Sequence, residues 1–361
     1  MSVLKSGAVR FFLGANSRNG FASLYDGFTQ TSDTGDFIWV LKGSPGCGKS
    51  SFMRRIGAAA EKAGLSVEYI LCSGDPDSLD AVRIPEKRLI YVDGTAPHVV
   101  EAACPGAASL YLDLSRFLDA GALRQKLPEI AELNRQIGAA YASAYDRLCA
   151  SAALLPKNRP GLLDGAAQDK LDRKLAGLIA RTLPRREGRG RLARRFLSAN
   201  SCQGRILLAD TAAALCPRVW ALDNAIGAGH VFLARLAEAA LVRGCDVILC
   251  PDPLEPEKAE AVLLPEPGLA FLAVDRGELP QGFPLFRHLR LDALAAPRPP
   301  ELRAELRRAR RESAALYAGA VEMLRRAKDL HDELEAVYHP HVDFAGVSAL
   351  AEAHVRRLQD A

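Results

Sequence analysis

The chain has 361 residues, of which 49% are hydrophobic and 25% charged, and its 47 basic and 43 acidic side chains leave a net charge of +4. This composition excludes general disorder, and so small a net charge gives no support to binding of nucleic acid or of a membrane surface. The length suits two domains better than one.

The cysteines and the apolar segments favour a cytoplasmic protein. The eight cysteines include no C-x-x-C pair and no Cys/His cluster with zinc spacing. The opening residues lack the apolar core of a signal peptide, and no apolar run reaches the roughly 18 residues that a membrane helix needs. We therefore expect free thiols, no membrane segment and a location in the cytoplasm.

Strand and helix signals alternate in the first part of the chain. Residues 37–41 form an apolar, β-prone run, which a glycine-rich turn and a helical pattern over 49–63 follow. Gly64 is typical of a helix C-terminus, and two further buried strands are predicted at 67–72 and 89–92. This order predicts an α/β fold with a parallel sheet and helices on both of its faces.

The character of the sequence changes after Leu114. Residues 116–182 are rich in leucine and alanine, carry charges at helical spacing and contain few strand formers, and residues 300–338 repeat that character. We expect each α/β core to carry a helical hairpin on its C-terminal side.

An internal repeat divides the chain. The segment FFLGANSRNGFASLYDG, from Phe11, returns as RFLSANSCQGRILLADT, from Arg195. The identical residues at one constant spacing are Phe12/Phe196, Leu13/Leu197, Ala15/Ala199, Asn16/Asn200, Ser17/Ser201, Gly20/Gly204, Leu24/Leu208 and Asp26/Asp210. The series continues with small shifts in spacing and includes both tryptophans. We predict two copies of one domain in tandem, over 1–183 and 184–361.

The first copy contains a phosphate-binding motif. Gly43-Ser-Pro-Gly-Cys-Gly-Lys-Ser50 fits the pattern G-x-x-x-x-G-K-[ST], with a strand before it and a helix after it. Glycines permit backbone conformations in which successive N–H groups form an anion-binding nest, and the following helix directs its positive end at the phosphates. The predicted ATP-binding residues are Gly43, Ser44, Pro45, Gly46, Cys47, Gly48, Lys49, Ser50 and Ser51.

The predicted catalytic residues are Lys49 and Asp93, with Mg²⁺ as the metal. Lys49 places a cation on the β- and γ-phosphate oxygens, and the Ser50 hydroxyl can bind Mg²⁺. The second metal ligand should be an acidic residue at the end of a neighbouring apolar strand, and Asp93 follows such a strand. The alternative is that Asp93 only forms a turn, because aspartate is common in turns.

The second copy departs from this motif. The aligned stretch is Asn224-Ala-Ile-Gly-Ala-Gly-His-Val231, which keeps both inner glycines. Asparagine, histidine and valine stand where the first copy has Gly43, Lys49 and Ser50. Valine cannot bind Mg²⁺, and neutral histidine does not supply the charge of lysine. We therefore expect this copy to be inactive toward Mg-nucleotides.

A histidine, His98, follows Asp93 by five residues. In a functional role it would contact the γ-phosphate or position a water molecule. In a structural role it would be a loop histidine with local hydrogen bonds. The sequence leaves both roles open.

Four segments resemble one known family. They are GANS (14–17), GSPGCGKSS (43–51), VDGTAPH (92–98) and HDELEAVY (331–338). Together they are similar to a bacterial family of tandem P-loop ATPase-like proteins, whose members are labelled ATPases or ATP-binding proteins, and the resemblance runs over nearly the whole length. It implies a P-loop NTPase fold and ATP binding. The nucleotide-site roles that it implies fall on Gly43, Gly46, Gly48, Lys49 and Ser50, and none falls on the second copy, where the motif is broken.

The expected function is ATP binding with hydrolysis at the first copy, acting on an unknown protein partner. The alternatives are a kinase that phosphorylates a small molecule or nucleotide acceptor, and a regulatory scaffold that binds ATP without turnover. The sequence has no N-K-x-D motif and no L-S-G-G-Q motif, which argues against a GTPase and an ABC transporter. No glutamate or glutamine is adjacent to Asp93 to polarise a water molecule, so we expect either slow turnover or a residue or partner supplied from elsewhere.

Overall fold

Each half of the chain forms one six-stranded sheet with helices. The computed structural model describes residues 8–30, 35–274 and 277–360. The strands of the first half are β1 (Ala8–Phe12), β2 (Gly14–Ser17), β3 (Gly20–Ser23), β4 (Phe37–Lys42), β5 (Val67–Leu71), β6 (Leu79–Ile84), β7 (Leu89–Asp93) and β8 (Ser109–Asp113). Its α-helices are α1 (Tyr25–Thr29), α2 (Lys49–Lys62), α3 (Ala120–Gln125), α4 (Leu127–Leu154) and α5 (Gly165–Thr182).

The second half presents a corresponding set of elements. Its strands are β9 (Leu192–Arg194), β10 (Ser198–Ser201), β11 (Gly204–Leu207), β12 (Arg218–Leu222), β13 (Val247–Pro251), β14 (Ala259–Leu264), β15 (Leu269–Ala273) and β16 (Arg287–Leu289). Its α-helices are α6 (Ala209–Leu215), α7 (Ala228–Val242), α8 (Pro300–Tyr338) and α9 (Phe344–Asp360). The strand orders are β1-β5-β6-β7-β4-β8 and β9-β13-β14-β15-β12-β16, so the two orders correspond strand for strand.

Both sheets are mixed, which confirms the α/β class and corrects the predicted parallel sheet. β6 runs antiparallel to both of its neighbours, β5 and β7, whereas β1 with β5, β7 with β4, and β4 with β8 are parallel. The reason is the length of the connections. Only residues 72–78 join β5 to β6 and only residues 85–88 join β6 to β7, and a parallel crossover needs about a dozen residues.

The two sheets share one apolar core between their inner faces. Val40 and Val92 of the first sheet belong to the same buried cluster as Ala221 and Leu272 of the second, together with the short helices α1 and α6. On the outer faces, Phe52 of α2 is buried against one sheet and side chains of α7 against the other. The long helices therefore cover only one face of each sheet, whereas the sequence predicted helices on both faces.

The last helix of each half lies on the other half. Leu171 and Leu175 of α5 belong to the buried cluster of Phe232 in α7, although α5 follows the first sheet in the chain. In the same way α9 packs on α2, and Nδ1 of His354 in α9 lies 3.0 Å from the hydroxyl of Tyr91 in β7. The boundary near residue 183 thus separates the two sheets but not the helices that cover them.

The predicted helical hairpin within each half is wrong, because α4 packs along α8 and not along α5. The Ser151 and Ser313 hydroxyls lie 3.0 Å apart, and each also donates to the backbone carbonyl of the other residue at 2.9 Å. An amphipathic pattern marks the buried face of a helix but not the helix that covers it, so the sequence did not reveal this pairing. Among the described residues, no helix combines the length and the apolar composition that crossing a bilayer requires.

Reciprocal hydrogen bonds join the two halves. The Phe12 amide donates to the Phe196 carbonyl at 2.9 Å, and the Phe196 amide donates to the Phe12 carbonyl at 2.8 Å. The Asn16 side-chain amide donates to the backbone carbonyl of Asn200 at 2.8 Å, and the Asn200 side-chain amide donates to that of Asn16 at 2.8 Å. Equivalent residues of the predicted repeat therefore pair with each other.

The same two asparagines hold the long helices. The Tyr145 hydroxyl of α4 donates to Oδ1 of Asn16 at 3.1 Å, and the Tyr317 hydroxyl of α8 donates to Oδ1 of Asn200 at 2.9 Å. Both asparagines are buried, at 1% exposure each. Each asparagine therefore links the equivalent strand of the other half to one long helix, in the buried interior.

We expect Asn16→Ala and Asn200→Ala each to lower the free energy of unfolding by about 1–3 kcal/mol, because each leaves a tyrosine hydroxyl and a backbone carbonyl buried without a partner. Urea unfolding followed by circular dichroism measures this loss. Asn19→Ala is the control, since the exposed Asn19 side chain should change stability by less than about 0.5 kcal/mol. A loss in only one of the two buried variants would contradict the reciprocal junction.

Candidate functional site

The first loop (residues 43–48) connects β4 to α2, as the sequence predicts. Gly46 and Gly48 have φ angles of +67° and +94°, in the left-handed region that favours glycine. A Cβ atom on Gly43 would lie 2.5 Å from the sulfur of Cys47, so this position also requires glycine. The glycines of the motif are therefore needed by the shape of the loop.

Backbone donors of the first loop lack acceptors. In the described part of the chain, no acceptor is found for the N–H groups of Gly46, Gly48 and Ser50. The first N–H groups of a helix have no partner within the helix, and its N-terminus carries a partial positive charge. These half-buried donors at the start of α2 are the arrangement that an anion satisfies.

Lys49 lies across the same loop. Its ammonium donates to the carbonyls of Gly43 at 3.1 Å and Ser44 at 2.9 Å, and lies 3.6 Å from Oδ2 of Asp93. The Lys49 and Asp93 side chains are only 11% and 12% exposed. The structure thus brings the two predicted catalytic residues together, Lys49 from the start of α2 and Asp93 from the end of β7.

Asp93 has the turn-forming role that the sequence offered as one alternative, and its other carboxylate oxygen faces Lys49. Its Oδ1 accepts from the amide of Thr95 at 2.9 Å and from the Thr95 hydroxyl at 2.6 Å, which is a turn-forming role. Its Oδ2 lies 3.6 Å from the ammonium of Lys49. The Ser50 hydroxyl accepts from the amide of Leu79 at 3.0 Å, and its second lone pair remains for a metal.

The remaining loop residues differ in their surroundings. The Ser44 hydroxyl is buried without a hydrogen-bond partner among the described residues, whereas the Ser51 side chain is exposed. Cys47 is buried at 1% exposure, and burial raises the pKa of its thiol more than the neighbouring Lys49 lowers it. Cys47 therefore fills space beneath the loop as a neutral thiol.

The second loop (residues 223–227) is shorter and has a different shape. α7 begins at Ala228, directly after Gly227, which has a φ angle of +83°. The next glycine, Gly229, lies inside α7 and has no positive φ. The second loop thus lacks the second left-handed glycine that shapes the nest of the first loop.

Three backbone N–H groups at the second loop have acceptors within the protein. The Ala225 amide donates to Oδ2 of Asp292 at 2.9 Å, and the His230 amide donates to Oδ1 of Asn224 at 3.2 Å. The Gly227 amide donates to the Asn224 carbonyl at 3.2 Å. A carboxylate of the protein therefore accepts from one backbone donor of the second loop, and Asp292 is a residue that the sequence analysis missed.

His230, which replaces the lysine of the motif, is neutral. Its Nδ1 donates to the Ala259 carbonyl at 2.7 Å, and its Nε2 accepts from the side-chain amide of Asn224 at 2.8 Å. Burial lowers the pKa of His230 to about 4, and the nearby Lys157 ammonium adds to this effect. The second loop therefore offers no cation of its own to a phosphate.

The strand beside the second loop lacks the acidic residue as well. The strand β15 ends in Ala273, at the place where the corresponding strand β7 ends in Asp93. An alanine cannot bind a metal.

Each loop is covered by helices of the other half. A Cβ atom on Gly46 would lie 3.0 Å from the ring of His339 and 3.1 Å from Cβ of Glu335, at the end of α8. A Cβ atom on Gly48 would lie 3.4 Å from Val347 of α9. The first loop is therefore bordered by chain segments that lie almost 300 residues later.

The second loop is bordered in the corresponding way by the segment after α4. A Cβ atom on Gly227 would lie 3.0 Å from the backbone carbonyl of Lys157. Beside this loop is a cavity of about 320 Å³, lined among others by Lys157, Arg205, Asp252 and Ala273. Within it the Lys157 ammonium lies 2.7 Å from Oδ2 of Asp252. A lysine from the first half thus stands near the loop that lost its own lysine.

The structure contains no group of three or more His, Cys, Asp or Glu side chains arranged for a metal, as far as the described residues show. Any metal at the first loop would therefore be held by Ser50 and Asp93 together with oxygens of a bound ligand or water. This sparse protein coordination suits Mg²⁺, which keeps several waters and binds through one or two carboxylates plus phosphates.

The chain matches no protein-family model, no curated protein and no solved structure. The resemblance to tandem P-loop ATPase-like proteins therefore stays a prediction.

We expect acid to destabilise the fold through His230. Its pKa is about 4 when folded and about 6.5 when unfolded, so the unfolded chain binds the additional proton between these values. The free energy of unfolding that neutral His230 contributes is fully present above about pH 6.5. It is lost as the pH falls toward 4, by up to about 3 kcal/mol.

His230→Leu tests this expectation, because leucine cannot titrate. Unfolding free energies from urea titrations at pH 7, 5.5 and 4.5 should fall less steeply in this variant than in the wild type. The other buried histidine with a lowered pKa, His354, is present in both proteins and cancels in the comparison. Equal slopes in both proteins would show that His230 is not held neutral by the fold.

Proposed function

We propose that the protein binds Mg-ATP at the first loop and hydrolyses it, as a P-loop NTPase with two halves of which the second no longer binds nucleotide. The observation that supports this most directly is the set of backbone N–H groups without acceptors at Gly46, Gly48 and Ser50. They lie at the positive end of α2, with the Lys49 ammonium beside them. Such donors and a lysine together recognise a polyphosphate.

The proposed P-loop fold and tandem duplication are supported by topology. The loop leaves β4, and the acidic strand end of the adjacent parallel strand β7 lies beside it. The corresponding strand orders of the two sheets and the reciprocal pairing of Asn16 with Asn200 favour an origin by duplication. The sequence repeat points the same way, since both asparagines belong to it.

The backbone donors of the first loop and the side chains beside it have different proposed roles. The backbone donors would hold the β-phosphate, and Lys49 would turn its ammonium from the carbonyls of Gly43 and Ser44 to the phosphate oxygens. Ser50 and Asp93 would hold Mg²⁺, which when bound neutralises charge on the β- and γ-phosphates. Hydrolysis then depends on positioning and electrostatic stabilisation more than on covalent chemistry by the protein.

The second half is proposed to act as a scaffold for the first. Its loop donors are occupied by Asp292 and Asn224, and its strand end is Ala273. It nevertheless supplies the end of α8 and the helix α9, which border the first loop. The second copy is therefore retained in this proposal because the nucleotide site is incomplete without it.

Lys49→Ala is expected to weaken Mg-ATP binding about 10- to 100-fold, the loss of one charge-assisted hydrogen bond to phosphate, and to abolish release of phosphate. His230→Ala, its counterpart in the second loop, should change ATP affinity less than about twofold. Isothermal titration calorimetry measures affinity, and γ-labelled ATP follows the phosphate. Comparable losses of affinity in both variants would contradict the assignment of one active loop.

The same labelled nucleotide separates hydrolysis from its alternatives. The proposal expects free phosphate in the absence of any acceptor. Transfer of the label to a pooled set of nucleosides and metabolites would instead identify a kinase. Tight binding without release or transfer would identify a scaffold that binds ATP without turnover.

A further inference from the structure

A buried cluster of Tyr25, Asp80 and His98 lies outside the residues that the proposed function uses. The Tyr25 hydroxyl donates to Oδ2 of Asp80 at 2.7 Å, and Nε2 of His98 lies 3.4 Å from the same oxygen. The rings of Tyr25 and His98 are 4.5 Å apart between centroids. The three residues are between 2% and 7% exposed. His98 is therefore held by a buried carboxylate and an aromatic ring.

The strand register places this cluster beside the site. Extending the pairing of β6 with β7 by one position sets Asp80 opposite Asp93. Residues directly opposite each other on adjacent strands point to the same face, with Cβ atoms about 4.5–5.5 Å apart. Two neighbouring carboxylates are tolerated when each has its own cation, and these cations are Lys49 for Asp93 and His98 for Asp80.

His98 has a donor without an acceptor. Its Nδ1 is buried and has no hydrogen-bond partner among the described residues. Burial alone would lower the pKa of His98, but the Asp80 carboxylate outweighs burial, and the pKa is raised to about 9. The imidazole is thus a cation at neutral pH, and a buried charged donor without an acceptor costs more free energy than a neutral one. A bound anion would remove this cost.

The second half also places a cation on the equivalent acidic residue. There Glu260 of β14 stands in the place of Asp80, and its cation is Arg205. Arg205 lines the cavity of about 320 Å³ beside the second loop. In the first half, the cation on the acidic residue of β6 is His98, and the first loop has backbone donors for which the described residues offer no acceptor.

We propose that His98 is a phosphate-contacting residue, whose Nδ1–H donates to a terminal phosphate oxygen of a nucleoside triphosphate at the first loop. Asp80 and Tyr25 are positioning residues that hold the imidazolium. This inference rests on the proposed function, since it needs a nucleotide at that loop. It adds a way to distinguish a triphosphate from a diphosphate, because a nucleoside diphosphate lacks the group that His98 contacts.

The test compares the affinities of the whole protein for Mg-ATP and Mg-ADP by isothermal titration calorimetry. The wild type should prefer ATP by about tenfold or more. His98→Gln keeps a donor toward Asp80 but not the charge, and should lower ATP affinity about tenfold or more while ADP affinity changes less than about twofold. Asp80→Asn, which removes the charge that holds His98, should give the same loss selective for ATP. Arg205→Gln, which removes the cation beside Glu260 in the second half, is the control and should leave the ratio unchanged.

The outcomes separate this inference from the proposed function. A wild type that binds ATP and ADP equally, or a His98→Gln protein with the wild-type preference for ATP, overturns the role of His98 and leaves nucleotide binding intact. An equal loss of ATP and ADP affinity in His98→Gln and Asp80→Asn also overturns it, because a contact to the terminal phosphate cannot weaken ADP binding. A wild type that binds neither nucleotide overturns the proposed function, and the role of His98 with it.

Discussion

The reciprocal hydrogen bonds between Asn16 and Asn200 determine how the two halves meet. The same side chains accept the hydroxyls of Tyr145 and Tyr317, so the junction of the sheets also sets the positions of α4 and α8. From these positions the end of α8 reaches the first loop and the segment after α4 reaches the second. The two loops are consequently parts of one molecule and not sites of two independent domains.

A buried backbone N–H group needs an acceptor, and the two loops differ in whether the protein supplies one. The second loop uses its own Asn224 and the carboxylate of Asp292. For the donors of Gly46, Gly48 and Ser50 at the first loop the described residues offer no acceptor, and a lysine and an aspartate lie beside them. This difference between the two loops is the basis for proposing an anion site at the first loop alone.

Local features of this molecule were predictable from the sequence, and long-range ones were not. The start of α2 at Lys49 and its end near Gly64 follow from glycine geometry and motif spacing, which act within a few residues. β6 was missed because its sequence, LDAVRI, buries Asp80 in the strand, a polar residue that a pattern of apolar positions does not assign to a core.

The exchange of helices was outside the reach of pattern analysis for a different reason. The apolar faces of α5 and α9 were visible, but nothing in their periodicity names α7 and α2 as their partners. The carboxylate in the second loop was equally hidden, since Asp292 lies 67 positions from Ala225 and only the fold brings them together. The predicted loop residues needed no such information, because the motif is contiguous.

The central claim is that the chain has one nucleotide site and that the second loop is closed by the protein itself. The most direct measurement is the number of Mg-nucleotides bound per chain at saturation, by calorimetry of the purified protein with a non-hydrolysable triphosphate analogue. The account predicts one nucleotide per chain. Two per chain would contradict the closure of the second loop by Asp292 and Asn224, and none would contradict the anion site at the first.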